Sequence, residues 1–179
     1  MIKVSESYNS PPDNFKTELQ KKVYDTLNEL SIRYERVDTS EAITMEDCLE
    51  IEKKLNVKMV KTLFLCNQQK TKFYLFVTTS SKRFDSKIFS RQLQISRVSF
   101  ANEELMLSKI KTKIGSATIF GLLMDETKEV QLVIDKEVLN EEYYGCSDGT
   151  TTGYMKIKTK DILDKVIPCT NHEFNIIEM

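Results

Sequence analysis

The chain has 179 residues, 40% of them hydrophobic, which suits one globular domain with a sizeable buried core. A formal net charge of −1 argues against a protein that coats nucleic acid indiscriminately. Cys48, Cys66, Cys146 and Cys169 form no C-x-x-C pair and no zinc-like spacing, so no metal and no cofactor is expected. Met1 to Pro12 lacks the apolar core of a signal peptide, and no apolar run approaches the roughly 20 residues that span a bilayer. Free thiols in a reducing cytoplasm, away from any membrane, are the expectation.

Residues 1–12 are expected to form a tail and residues 13–179 one domain, with no repeat or linker inside it. Pro11-Pro12 before Asp13 or Asn14 announces a helix carrying Phe15, Leu19, Val23, Leu27 and Leu30 on one face. A strand over Tyr34–Asp38 follows. Thr44-Met45-Glu46-Asp47 resembles a capping box for a helix through about Leu55. Two strands, beginning near Lys61 and Phe73, flank a polar turn at Gln68-Gln69-Lys70. Alternation puts Lys61 on one face with Leu63 and Leu65, and Val60, Thr62 and Phe64 on the other.

Further on, a helix beginning near Asp85 carries Ile88, Leu93 and Ile95. A short strand over Arg97–Ala101 leads to a helix over Glu103–Ile110. Gly115–Leu122 reads as loop entering a strand, Val130–Asp135 as a strand and Glu137–Glu142 as a short helix. Gly145–Gly153 reads as a loop, Tyr154–Lys158 as a strand, Thr159–Val166 as a capped helix and Phe174–Ile177 as a closing strand. Strands and helices interleave without strict βαβ repetition, so the expected class is α+β, a mixed sheet flanked by helices.

Charge is unevenly distributed. Lys82, Arg83, Lys87, Arg91, Arg97, Lys109, Lys111 and Lys113 face only Asp85, Glu103 and Glu104 in their stretch, whereas Asp125–Asp148 is acidic. Such a basic region either grips phosphates or is a solvated face. Lys61, at the mouth of an apolar strand, is either a plain charge flanking that strand or a lysine with its stem against the core and its ammonium in a cleft. His172 is the only histidine and reads as structural, which leaves Cys146 and Ser147 without a base for nucleophilic work. No Walker-type loop or Rossmann fingerprint is present.

Taken in order, Lys61-Thr62-Leu63-Phe64-Leu65, the strand at Phe73, Gly115-Ser116-Ala117-Thr118-Ile119-Phe120-Gly121 and Val130–Asp135 resemble the YbaK/ProX family of trans-editing aminoacyl-tRNA deacylases. Tyr34–Asp38, Arg97–Ala101, Thr159–Leu163 and Asn171-His172-Glu173 fall in the same order, so the likeness runs from about Phe15 onward. The nearest subgroup is the free-standing deacylases of alanine mischarged onto proline tRNA. The resemblance implies a barrel-like mixed sheet and a tRNA partner, with association with prolyl-tRNA synthetase. It implies Lys61 as the catalytic residue, without a protein nucleophile, because the terminal ribose hydroxyl and a water are recruited instead.

Thr62, Gly115, Ser116, Ala117, Ile119, Gly121 and Ser147 become the substrate-binding candidates on the same ground. Lys82, Arg83, Lys87 and Arg91 become the tRNA contacts. A small pocket walled by Leu63 and Leu65 or Val77 would admit alanine. The chain departs from the family pattern at three places. Thr62 stands for asparagine, Ile119 for proline, and Ser147-Asp148 for a His-Pro pair with Thr151 at an asparagine position. Those departures motivate the alternative, a non-catalytic aminoacyl-tRNA or amino-acid sensor.

Overall fold

A computed structural model describes residues 1–42 and 44–179. The chain order is α1 (Glu18–Glu29), β1 (Tyr34–Asp38), α2 (Met45–Leu55), β2 (Val60–Asn67), β3 (Phe73–Thr79), α3 (Ser86–Leu93), β4 (Val98–Phe100) and α4 (Glu103–Ile110). A 3-10 helix (Ile119–Met124), β5 (Val130–Asp135), α5 (Lys136–Leu139), β6 (Tyr143–Ser147) and β7 (Gly153–Lys158) follow. The chain closes with α6 (Thr159–Asp161), a π turn (Ile162–Val166), α7 (Ile167–Cys169) and β8 (Phe174–Ile177). No helix among the described residues is long and apolar enough to cross a membrane.

The architecture is mixed α+β, as expected, but the strands divide into two sheets. Five strands run β4-β2-β3-β5-β8 and three run β1-β7-β6. In the larger sheet β2 is antiparallel to β3 and β4, whereas β3-β5 and β5-β8 are parallel. A single parallel bridge, Met59 to Gly145, ties the start of β2 to β6. The sheets therefore meet at one corner without closing into a barrel.

The alternation along β2 decides the layers. Phe64 and Cys66 join Leu19, Leu27, Leu132 and Met155 in the main core, between the sheets and under α1. Leu63 and Leu65 face the opposite way, onto Tyr74, Phe76 and Phe89 beneath α3. A third cluster packs Ile51 and Leu55 of α2 on Val37 and Tyr154.

Several local expectations are corrected. Helix α1 starts at Glu18, because Thr17 rather than Asp13 or Asn14 caps it by accepting from the Gln20 N–H. Ile119–Met124 is a 3-10 helix rather than a strand, buried over most of its length against α1 and α4. The segment read as a loop from Gly145 instead continues β6 through Ser147. No side chain caps the helical run from Thr159, which passes through a π turn. The expected capping box is present, with Thr44 accepting from Asp47 N and Asp47 accepting from Thr44 N. Residues 1–12 are laid along β1 by bridges from Val4 to Thr39 and Tyr8 to Arg36.

Candidate functional site

Strand β2 is paired unevenly. Its whole length faces β3, but β4 covers only Leu65–Asn67 on the other side, with Ala101 N donating to Phe64 O just beyond. Among the described residues the edge from Val60 to Leu63 has no strand neighbour apart from the Met59 bridge. A residue's N–H and C=O point the same way in an antiparallel ladder, and Phe64 O points toward β4. The Thr62 peptide groups thus face outward as well.

A cavity of about 430 Å³ lies at this open edge. Lys61, Thr62, Leu63 and Phe64 form one wall, with Cys146, Ser147 and Tyr154 from the smaller sheet opposite. Gly115 and Ala117 come from the loop before the 3-10 helix, and Met45, Phe100 and Ile114 stand at the exposed rim. Among the described lining residues Lys61 is the only one with a formal charge, and no carboxylate or histidine joins it. Its ammonium donates to the Lys82 carbonyl, which leaves two of its three N–H groups for a ligand. Burial lowers its pKa from the ordinary lysine value.

The sequence candidates fall into two groups. Thr62, Gly115, Ala117 and Ser147 line the cavity. Ser116, Ile119 and Gly121 are buried outside its lining. Ser116 staples its loop, its hydroxyl donating to Lys113 O and accepting from Lys113 N at 3.0 and 3.1 Å. Gly121 lies against Ile110, where an added Cβ would stand 2.8 Å from the Ile110 Cβ. Gly115 holds a positive φ of 87°, which suits glycine at this corner. Of the expected pocket walls only Leu63 lines the cavity, since Leu65 and Val77 are fully buried in the core.

Ser147 reaches the cavity with its hydroxyl largely committed. It donates to Thr150 O at 2.8 Å and accepts from Gly149 N at 2.9 Å. Asp148, the first residue of the loop that follows, is a structural hub. It is 1% exposed, and its carboxylate accepts from Gln20 Nε2 (2.8 Å), Tyr24 OH (2.9 Å), Thr150 N (3.1 Å) and Thr150 Oγ1 (2.7 Å). Asp148 N also donates to Gly153 O at 3.0 Å, a bond proline lacks the hydrogen to make. A Cβ on Gly153 would stand 2.1 Å from the Asp148 carboxylate, so glycine is required there. The loop between β6 and β7 is thereby pinned.

Nucleophilic alternatives weaken on inspection. Burial, with Asp148 nearby, raises the Cys146 thiol well above its ordinary range, which keeps it protonated. His172 is buried, pairing with Asp125 Oδ2 at 2.8 Å and Thr170 O at 3.0 Å. Tyr144 was missed by sequence reasoning. Its buried hydroxyl lies beside Thr62 without a well-formed hydrogen bond, and burial holds its pKa high.

The basic region is also divided. Lys82 pairs with Asp135 at 2.9 Å and Glu137 at 2.7 Å. Burial works to lower its pKa, but hydrogen bonds to Glu137 and Asp135 outweigh that and raise it. Arg83, Lys87 and Arg91 are exposed on and before α3, with no ion-pair partner among the described residues.

Comparison with known proteins agrees with this geometry. The family described as "Aminoacyl-tRNA editing domain" matches residues 39–165. The chain is 27% identical over 153 residues to "Prolyl-tRNA editing protein ProX" of Acetoanaerobium sticklandii, covering 86% of this chain and 93% of that one. It is 29% identical over 162 residues to "Prolyl-tRNA synthetase associated domain-containing protein 1" of Mus musculus, covering 88% and 94%. A solved structure described as a candidate trans-editing enzyme for prolyl-tRNA synthetase superposes with TM-score 0.65 at 13% identity, over 92% of this chain and 99% of that one. At that identity the likeness is one of fold.

Proposed function

The chain belongs to the aminoacyl-tRNA editing domain family and is thereby an aminoacyl-tRNA deacylase; from this premise we propose that it hydrolyses alanine from proline tRNA in trans, at the cavity beside β2. The observation that carries the proposal is a lone ammonium in a largely apolar-walled cavity. Lys61 is suited to meet the charge that develops on an ester carbonyl under attack, or to hold the terminal phosphate. Among the described residues no histidine or carboxylate lines the cavity to act as base, and Cys146 is held protonated. Attack by a water assisted by the substrate's own ribose hydroxyl fits such a site. Thr62, Gly115, Ala117 and Ser147 shape it around the aminoacyl end.

Gly115 and Ala117 put small residues at the wall, and the proposal is that the seated ester leaves space for an alanine methyl but not for a proline ring. A single methylene of fit discriminates by about 1–3 kcal/mol, so exclusion by size is the stronger sieve. The test is a panel of proline tRNAs charged with alanine, serine, cysteine or proline. Alanine should be released fastest and proline spared. Equal release of alanine and proline would remove the sieve.

Arg83, Lys87 and Arg91 are proposed to meet the acceptor stem, and association with prolyl-tRNA synthetase would supply mischarged tRNA directly. Lys82 is better placed to hold the β3–α3 connection onto Asp135. Replacing Arg83, Lys87 and Arg91 with glutamine should weaken tRNA binding and flatten its salt dependence by roughly 0.7–0.9 log units per lost phosphate contact. Selectivity among amino acids should persist. An unchanged salt slope would assign these charges to solubility. The sensor reading is favoured by one observation, the committed hydroxyl of Ser147 where relatives resembling this chain place an imidazole.

A further inference from the structure

The rim of the cavity is apolar and exposed. Phe100 is 61% exposed, Ile114 60% and Met45 50%, and all three line the same opening. Large apolar side chains grouped at a pocket mouth mark a surface that meets a ligand. The Phe100 ring is propped in place. It stands 5.5 Å from Phe84 at 61°, and Phe84 stands 5.7 Å from the fully buried Phe89 at 65°. This relay of tilted rings fixes the edge of Phe100 against the fold and leaves the rest of its surface open to solvent. Exposed Arg97, three residues before Phe100, and exposed Lys113, beside Ile114, have no ion-pair partner among the described residues.

We infer that Phe100, with Ile114 and Met45, is the platform on which the terminal adenine of the tRNA stacks. The inference rests on the cavity being the site of the aminoacyl ester. In that substrate the ester and the base hang from the same ribose, so a buried ester places the base one sugar away, at the mouth. The mouth offers an anchored aromatic ring and two apolar flanks, which suit the face of a base. Stacking of a base on an aromatic side chain is sequence-tolerant and strong enough to orient the ester.

The chain contains no tryptophan, so Phe100→Trp installs a single indole reporter at the rim. The probes are three uncharged RNA microhelices with one stem, ending in CCA, in CC, or in CC followed by an abasic ribose. The CCA end should quench the indole and bind wild type about tenfold more tightly than the abasic end, the effect of one stacked base. Phe100→Ala, checked for folding by circular dichroism, should erase that difference and leave affinity for the abasic end unchanged. Equal affinity for the CCA and abasic ends, or a preference that survives Phe100→Ala, would overturn the inference. So would release of prolyl-tRNA synthetase by Phe100→Ala with RNA preference intact, which would give the rim to a protein partner. Uncharged RNA requires no hydrolysis. A chain that prefers the CCA end yet cleaves no ester would uphold this inference while sinking the proposed function.

Discussion

Lys61→Ala is expected to lower the rate of aminoacyl ester hydrolysis by about 100- to 1000-fold, the usual loss when one aimed electrostatic donor is removed. The variant should stay folded, because Lys61 is only half-buried and its ammonium bonds one backbone carbonyl. Its effect should fall on the rate with little change in tRNA affinity. The pH dependence follows from the environment. Burial lowers the Lys61 pKa, so the ammonium is lost at a lower pH than in an ordinary lysine, near 10.4. A rate that needs the charged form must therefore fall as pH rises through a value below that figure. Measured after subtraction of spontaneous ester hydrolysis, wild type should show this alkaline limb, and Lys61→Arg should lose it while keeping part of the rate. A folded Lys61→Ala protein with near-normal turnover would take the lysine out of the mechanism.

Asp148→Ala is expected to have the largest effect on stability, about 3–5 kcal/mol. The mechanism is loss of a buried acceptor that serves three side chains and a backbone amide. Gln20 Nε2, Tyr24 OH and the Thr150 groups would be left buried without their partner. For a chain of this size the midpoint of thermal unfolding should drop by roughly 10 °C. Gly153→Ala should be nearly as damaging, because its Cβ intrudes on the same carboxylate. The two changes together should cost less than their sum, since removing the carboxylate relieves the clash. Additive losses in thermal or urea unfolding would show that Gly153 matters for another reason. Replacing Asp148 with proline to match the family pattern would dismantle the hub rather than stiffen a loop.

The two predictions differ in how far the sequence announces them. Lys61 was singled out through the ordered resemblance to the editing family, since its place at the head of a strand suits a plain surface charge equally well; apolar periodicity placed β2, β3, β5, α4 and β8 at or near their observed bounds. Asp148 was not, because its partners Gln20 and Tyr24 lie 128 and 124 residues away, and polar residues beside a glycine read as an ordinary turn. Ile119–Met124 was misread for a related reason. A run buried on most sides shows no period to tell helix from strand. Gly145 hid a strand because its small size answers to Met59 and Val57, each within 2.9 Å of where a Cβ would stand. At the site, four of the seven substrate-binding candidates meet at the cavity: Thr62, Gly115, Ala117 and Ser147. Its exposed rim at Phe100 carried no signal beyond a short strand, since exposure is a property of the fold and not of the residue.

The most direct test of the account is a proline-charging reaction in which a prolyl-tRNA synthetase without its own editing activity mischarges alanine. A catalytic amount of this protein, far below the tRNA, is added and the accumulated alanyl-tRNA is measured against time. The account predicts that alanyl-tRNA fails to accumulate while prolyl-tRNA reaches its normal level, and that Lys61→Ala restores the accumulation. Alanyl-tRNA that builds up undiminished in the presence of wild-type protein, with the protein nonetheless bound to tRNA, would contradict it and leave a sensor in its place.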